Sequence, residues 1–433
     1  MAVAEPRGAA PRPLLARLWA APLLCCGFRP FFLGAALWAA LAMGLWMLML
    51  TTTLPLVPGP LSGSAWHAHE MVWGFGMAAV TGFLLTAVPE FTATPEFKRR
   101  DTALLFGLWL AARLFGLVGL ALLPALWVPL TAALNLALVA SLAWRSLPRL
   151  LRQPLRPHQG FALALLALLG VEAGFWWAAL GGRDAMPWVN ACVGLMMVLI
   201  VLAQSRISMR LLRGMLDHLG VHQADYRAPP PRRRLAIFCI ALLTGTELLG
   251  VAEPTLGWLA LAASAAVLAL MSEWHFGRAL GHRWVWPLYA VYLCMAAGYA
   301  LLGLAWLGAP WAPSAGRHAL TVGSMGLGVL AVMNIAGRIH AGLPLDDRRW
   351  RVVASALLVA AVGARVLAST PWAAGGTLAA WWLAALAWAV AWLLYAGFAW
   401  RHLSGPRTDG GTGCEEPLDA AAPAALRPPL AAD

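Results

Sequence analysis

The chain has 433 residues, of which 61% are apolar and only 12% are charged. A soluble domain is about 45–50% apolar and about 25% charged, so the composition excludes a soluble globular protein, a disordered chain and a secreted disulfide scaffold. What remains is an all-α polytopic membrane protein. The net charge of +12 would suit nucleic acid only if the basic residues formed one surface patch.

Twelve apolar runs are long enough to cross a bilayer as helices, which takes about 20 residues. Their predicted limits are Phe28–Leu50, His69–Val88, Thr102–Leu122, Ala125–Leu147, Gly160–Leu180, Trp188–Ser208, Leu235–Ala252, Thr255–Trp274, Trp284–Trp306, His318–Gly337, Val352–Ser369 and Gly376–Trp400. The third and fourth runs are joined at Leu123–Pro124, which predicts a tight antiparallel pair of helices.

The basic residues predict how these spans are oriented, because cytoplasmic loops collect Lys and Arg. With the amino terminus placed inside, nearly all of the 31 Lys and Arg residues fall in inner segments. The exceptions are Arg183 and Arg317 in outer loops and Arg113 and Arg365 within spans. We therefore expect both termini in the cytoplasm, the excess charge facing anionic lipid headgroups, and no nucleic-acid partner.

The expected organisation is a cytoplasmic amino-terminal segment (1–25), one twelve-helix membrane domain (26–402) and a disordered cytoplasmic tail (403–433). The first segment is rich in Ala, Pro and Arg, and we expect no cleaved signal peptide in it. The tail consists largely of Gly, Pro, Ala and acidic residues. The six cysteines are scattered without C-x-x-C spacing, which predicts neither a disulfide framework nor a thiolate metal site.

Only three of the ten histidines lie on the predicted outer side, where they begin two helices. His67 and His69 precede the second span, and His318 begins the tenth. Residues two apart on a helix point about 200° away from each other, so His67 and His69 converge only if His67 is still extended. If the helix has already begun, His67 instead shares a face with Glu70.

These histidines allow two interpretations. Neutral imidazole binds copper, iron and zinc, a single histidine serves as an axial haem ligand, and Glu70 is placed to orient a ligating ring. Alternatively, His and Trp at a helix entrance act as interfacial anchors, and Glu70 is simply favoured by the helix N-terminus. The spacing alone leaves both open.

Four charged residues lie more than three residues from either end of the predicted spans. Arg113 and Glu172 have opposite signs, as do Arg365 and Glu247. Charge inside a membrane is rare and is usually paired or lines a polar cavity. The pairs Arg113–Glu172 and Arg365–Glu247 are therefore expected either as buried ion pairs between helices or as parts of a proton path or of a clamp for haem propionates.

Four motifs of the chain resemble those of the NnrS family. They are GFRPFF at 27–32, WHAHEM at 66–71, GFLLTAVP at 82–89 and HALTVG at 318–323. The resemblance implies a multi-pass protein of the bacterial inner membrane that carries haem and copper and supports resistance to nitric oxide, often alongside denitrification. It implies His67, His69 and His318 as the ligands. We further expect Glu70 beside the metal, and Arg29 and Arg317 are candidates for binding anionic groups.

The chain departs from the family pattern in three places. Glu90-Phe91 stands where the family has Asn and Trp, segment 203–208 keeps only the Arg of a Gly-Gly-Arg sequence, and segment 338–345 replaces Gly-His-Thr-Gly-Arg. All three lie in the predicted cytoplasmic half. The resemblance therefore supports an outer metal site more than an inner one involving His275 or His340.

The leading hypothesis is a haem- and copper-containing membrane protein of the nitric oxide response, with nitric oxide as its small-molecule partner and the lipid bilayer around it. The residues do not decide whether it catalyses a reaction. The alternative is a proton- or ion-coupled secondary transporter, because twelve helices with both ends inside are a common transporter plan and Arg113, Glu172 and Glu247 would line a path. A passive scaffold would not depend on the outer histidines at all.

Overall fold

The computed structural model describes residues 21–52, 61–123, 125–152, 158–218, 230–272, 280–411 and 413–414. Over these residues the chain is helical, without a strand. The long helices are α1 Phe28–Thr51, α2 Gly63–Thr92, α3 Arg99–Leu122, α4 Trp127–Leu151, α5 Gln159–Leu180, α6 Met186–His218, α7 Pro230–Leu248, α8 Glu253–Met271, α9 Trp286–Trp306, α10 Ser314–Ile339, α11 Trp350–Leu367 and α12 Thr377–Ser404. The all-α polytopic membrane fold is thus confirmed, and each predicted span coincides with one helix.

Among the described residues, eleven helices are long and apolar enough to cross a membrane. The remaining one is α7, which carries Arg232, Arg233 and Arg234 in its first turns and Glu247 near its end. Every stretch of 18 residues within α7 therefore contains four charges. It nevertheless packs against both α6 and α8 as a member of the bundle.

Helices α2 and α10 lie at the centre of the bundle. Their most apolar stretches are 89% and 67% buried inside the protein, the two highest values among the eleven helices. Each contains a seven-residue π-helical segment, Glu70–Gly76 in α2 and Ala319–Met325 in α10. A π-helical turn is rare and is found mostly at functional sites. Both segments begin directly after a histidine, His69 or His318, a coincidence that no pattern in the sequence predicted.

Two ends of the bundle can be told apart. The terminal face is the end at which α1 begins and α12 ends, where Arg29 Nη1 donates hydrogen bonds to the carbonyl oxygens of Leu403 (3.3 Å) and Gly405 (2.6 Å). The opposite face is the end at which α2 and α10 begin, where the backbone N–H of Ala312 donates to the carbonyl oxygen of Ser369. The side of the membrane on which each face lies stays a prediction.

A return segment (residues 405–414, described except for 412) follows α12 and lies back against the terminal face. Cys414 at its end forms a disulfide with Cys26, 388 residues away in sequence. The scattered cysteines gave no sign of this pair, which forms because the end of the chain returns to the start of α1. Of the predicted disordered tail, residues 415–433 lie outside the described part of the chain, as do residues 1–20 of the predicted amino-terminal segment.

Candidate functional site

The start of α2 decides how its two histidines are arranged. The helix begins at Gly63, and the side-chain oxygen of Ser62 caps it by accepting a hydrogen bond from the backbone N–H of Ala65 (3.1 Å). The predicted start at His69 was therefore six residues late, and His67 is already helical. Two helical residues at this spacing point in different directions, so His67 and His69 enter different parts of the bundle.

His69 lies in a buried polar network. Its Nδ1 is 3.1 Å from Glu70 Oε1 and its Nε2 is 3.4 Å from Glu172 Oε1, so that both ring nitrogens have a partner. Trp176 Nε1 donates to the same oxygen of Glu172 at 2.7 Å. The imidazole ring stacks on Phe175, with the ring centroids 4.6 Å apart. This histidine is held on all sides by the protein itself.

Arg113 completes the network from α3. Its Nη1 donates to Glu70 Oε2 at 2.5 Å, and its Nη2 donates to Asn135 Oδ1. The predicted pair between Arg113 and Glu172 is thus not formed, because Glu70 lies between them and takes the guanidinium. Glu70 is 5% and Arg113 1% exposed, so the two charges compensate each other within the membrane domain.

His67 and His318 line one cavity near the opposite face, of about 320 Å³. Nδ1 of His318 donates to the carbonyl oxygen of Ser314 (2.7 Å), which leaves Nε2 with its lone pair. The His67 ring stacks on Trp46 at 4.5 Å with an interplanar angle of 12°. Its Nδ1 is buried and has no hydrogen-bond partner among the described residues. The opposite-face cavity therefore contains two imidazoles, His67 with a buried ring nitrogen that makes no hydrogen bond among the described residues and His318 with its Nδ1 already bound to the backbone.

Four thioethers line the same cavity, those of Met43, Met71, Met186 and Met325. These methionines were not predicted as ligands, because methionine in an apolar helix carries no specific signal in the sequence. They arrive from α1, α2, α6 and the π-helical segment of α10. Thioether sulfur is a soft ligand that selects Cu(I).

The cavity also contains two arginines. Arg365 donates to Ser369 Oγ at 2.6 Å, while Arg317 pairs with Glu247, whose Oε1 also accepts from Asn190 Nδ2 (3.1 Å). The predicted pair between Arg365 and Glu247 is therefore replaced by Arg317–Glu247.

The structure thus brings together two of the four predicted metal ligands. His67 and His318 share the opposite-face cavity, whereas His69 and Glu70 belong to the buried network. In the described part of the chain, no three side chains of His, Cys, Asp or Glu are grouped so that they could hold a metal ion. Of the predicted anion-binding residues, Arg317 lines this cavity and Arg29 lies at the other end of the molecule, where it binds backbone carbonyls.

A second and larger cavity of about 640 Å³ lies at the terminal face. Nδ1 of His340, at the end of α10, lies 2.8 Å from the carbonyl oxygen of Cys414 in the return segment. His158 stacks on Phe91 (5.2 Å, 18°), and its Nδ1 accepts from Arg206 Nη2 at 2.9 Å. Burial and the neighbouring guanidinium of Arg206 lower the pKa of His158, so that this ring is neutral at pH 7.

The three departures from the family pattern converge on this terminal-face cavity. Glu90 and Phe91 line it from α2, Arg206 from α6, and His340 from the end of α10. His275, the other residue considered for an inner site, lies outside the described residues. Nothing in the sequence indicates that these three departing segments meet around one cavity.

A small apolar cavity of about 70 Å³ lies between the two larger ones. It shares Met325 with the opposite-face cavity and Phe83 with the terminal-face cavity. Gly76 and Met196 also line it. The three cavities therefore follow one another between α2, α6 and α10 along the bundle axis.

The fold and these cavities define a polytopic membrane protein with a histidine-bearing cavity at each end. The family model described as NnrS protein matches residues 22–407, which is most of the chain. The chain therefore belongs to the NnrS family, as its motifs predicted. No curated protein matches it.

Proposed function

We propose that this protein is a haem- and copper-carrying membrane protein of the bacterial nitric oxide response, in which His67 and His318 bind copper in the opposite-face cavity. The observation that carries the proposal is the buried, unpartnered Nδ1 of His67 in a cavity that it shares with His318. A buried polar atom without a partner is costly, most of all inside a membrane. A metal ion would supply the missing partner.

The donor set fits copper better than other metals. Imidazole suits copper, iron, nickel and zinc, whereas thioether sulfur narrows the choice to soft ions, chiefly Cu(I). Among the described residues that line the cavity, none carries a carboxylate or a thiol. The positive charge of Arg365 favours the lower oxidation state, because Cu(I) adds less positive charge to the cavity than Cu(II).

The surrounding residues prepare the two imidazoles for this role. The carbonyl oxygen of Ser314 fixes the tautomer and the ring orientation of His318. At metal sites the second ring nitrogen of a ligating histidine commonly donates to such an acceptor. Trp46 fixes the plane of His67 by stacking. Bound copper would supply affinity for nitric oxide, and the apolar walls would admit a small uncharged molecule while excluding water.

Membership of the NnrS family supports the nitric oxide response and an inner-membrane location. The four motifs include His67, His69 and His318, and two of these three histidines reach the proposed copper site. His69 supports the site from outside, because it holds the first turns of α2 against α5 through Glu172.

The copper content of the purified full-length protein tests the proposal. After expression with added copper and purification in mild detergent, we expect about one copper ion per chain by elemental analysis. His67→Ala and His318→Ala should each lose most of it, while His158→Gln, a histidine of the terminal face, should retain it. A wild-type protein that contains no copper after this treatment would overturn the proposal.

A secondary transporter is the second candidate function, and the row of three cavities between α2, α6 and α10 favours it. A path for a small solute would run from one face to the other past Met325 and Phe83. Uptake into proteoliposomes driven by a proton or sodium gradient, and abolished by Met325→Trp, is the expected result for a transporter. Absence of uptake together with bound copper excludes this candidate.

A further inference from the structure

We infer that the terminal-face cavity is a haem site with His340 as the axial ligand, so that haem and copper lie at opposite ends of the bundle. The inference rests on the proposed function, since it takes haem as one of the two cofactors. It differs from the expectation that the motif histidines hold both groups. The structure instead gives the chain two separate cavities, each with its own histidine.

The geometry of His340 is that of a ligating histidine. Its Nδ1 is held by the carbonyl oxygen of Cys414, which fixes the ring and leaves the Nε2 lone pair available. The residue is 8% exposed. Nε2 faces Glu90, whose Oε2 is 3.8 Å away and thus too distant for a hydrogen bond. His318 at the other end has the same arrangement, a backbone carbonyl on Nδ1 and a cavity beside the ring.

The size and walls of the cavity suit a flat apolar macrocycle. At about 640 Å³ it has about twice the volume of the opposite-face cavity and lies well within the range of about 300–1,000 Å³ typical of ligand pockets. Four aromatic rings from α1 and α2 line it, those of Phe28, Phe32, Phe83 and Phe91. The cavity thus combines a large volume and aromatic walls with the imidazole of His340.

The charged side chains of the cavity indicate which residue would bind the carboxylates of such a ligand. Arg206 is fixed by its bond to His158 and by its position over the Phe91 ring, 4.5 Å from the centroid, and it is the cation among the described lining residues. Glu90 is 42% exposed at its side chain and lies at the rim towards His340. Arg206 would therefore be the residue that binds the propionates of haem.

A haem held by one histidine supplies an open iron position that binds small ligands such as nitric oxide. The residues of this chain contribute the axial imidazole, the aromatic walls and the guanidinium. The return segment contributes the carbonyl oxygen that orients His340, so the end of the chain becomes part of the site.

Parallel measurement of haem and copper in the same purified samples tests this assignment. The full-length protein is expressed with a haem precursor and copper, and the Soret band and the copper content are recorded. We expect His340→Ala to lower the haem content at least tenfold and to keep its copper. His318→Ala should do the reverse. After unbound haem is removed by gel filtration, His340→Ala incubated with haem and imidazole should show a Soret band that elutes with the protein, which a merely misfolded variant would not show.

Two further variants serve as controls. His402→Gln alters a histidine in the last turn of α12 that does not line this cavity, and it should keep its haem. Ala87→Phe fills the cavity while leaving His340 intact, and it should lower the haem content at an unchanged elution volume. A Soret band unaffected by His340→Ala, or lost together with copper in His318→Ala, overturns the assignment. A wild-type protein with copper but without haem overturns it while leaving the copper site in place.

Discussion

Two regions at the start of α2 differ in how their histidines are used. Around His69, protein groups take both ring nitrogens, and the neighbouring Glu70 is bound by Arg113. Around His67, one nitrogen is buried without a partner beside a cavity. The two residues are two positions apart in one motif, and yet His69 belongs to the framework and His67 to a ligand site. The degree to which hydrogen bonds are satisfied, rather than the motif, separates the two roles.

The strongest test of this contrast removes the cation of the buried network. Arg113→Met should destabilise the protein by about 3–5 kcal/mol, because it leaves Glu70 buried without its ion-pair partner. The thermal unfolding midpoint in detergent measures the effect. Arg145→Met is the matched control, since Arg145 pairs with Asp101 at 3.0 Å in a partly exposed position and should cost at most about 1 kcal/mol. Equal effects of the two variants would contradict the assignment of Arg113 to the framework.

The two histidines themselves give the sharpest comparison. His67→Phe replaces an unpartnered imidazole by an apolar ring of similar shape. In the metal-free protein the free energy of unfolding should therefore stay the same or rise by about 1 kcal/mol. The copper-loaded protein should lose its copper. His69→Phe removes the partner of Glu172 and should cost about 1–3 kcal/mol. Thermal unfolding of the metal-free proteins and elemental analysis of the loaded ones measure both outcomes. Strong destabilisation by His67→Phe would place His67 in the framework as well.

The sequence predicted the fold almost completely and the site only in part. Helix-length apolar runs predicted each of the twelve long helices in the described part of the chain, because a bilayer imposes their length. The orientation inferred from Lys and Arg stays a prediction. The direction of a side chain depends on where a helix begins, and the Ser62 cap lies seven residues before the apolar run that predicted the second span. The ion pairs were not predicted correctly either. Both Glu172 and Glu70 could neutralise Arg113, and only the packing of the helices selects Glu70. The methionines carry no signal until the bundle assembles them, and the sequence offered His340 only as a candidate for an inner metal site, without the cavity around it.

The terminal face offers a pH test that leaves the opposite face untouched. Asp346, between α10 and α11, accepts hydrogen bonds from Arg348 Nε (2.9 Å) and Trp350 Nε1 (3.0 Å). Burial would raise the pKa of this carboxyl, but the bonds from Arg348 and Trp350 and the charge of Arg338 hold the pKa well below its ordinary value. Because the pKa is depressed in the folded protein, its stabilising contribution is complete above the unfolded pKa of about 3.9 and is lost as the pH falls below it.

We therefore expect the free energy of unfolding to decrease below about pH 4, and Asp346→Asn to cost about 1.5–3 kcal/mol at pH 7 with a weaker dependence on acid. Thermal unfolding at pH 7 and at about pH 2.5 measures both effects. Asp347→Asn is the control, because the Asp347 side chain is 74% exposed. Copper content should be the same in all three proteins at pH 7. A loss of copper in Asp346→Asn would mean that the two faces are coupled.

The smallest expected effect comes from removing a sulfur atom that would bind copper in addition to the two imidazoles. Met325 ends the π-helical segment of α10 and lines both the opposite-face cavity and the small central one. Met325→Leu conserves the volume of the side chain, so stability should change by less than about 1.5 kcal/mol. The substitution removes a soft sulfur donor, and we expect the affinity for Cu(I) to fall about tenfold, measured by competition with a Cu(I) chelator.

The same substitution should leave affinity for Zn²⁺ unchanged, because zinc is bound by imidazole but is not selected by thioether sulfur. Met333→Leu is the matched control, a buried methionine of α10 that lines the central cavity without reaching the opposite-face one. If both substitutions weaken Cu(I) binding equally, the sulfur of Met325 is not a ligand, and the cavity acts through its packing. If only Met325→Leu does so, the π-helical segment has a defined purpose: it places a sulfur beside two histidines that a regular helix would direct elsewhere.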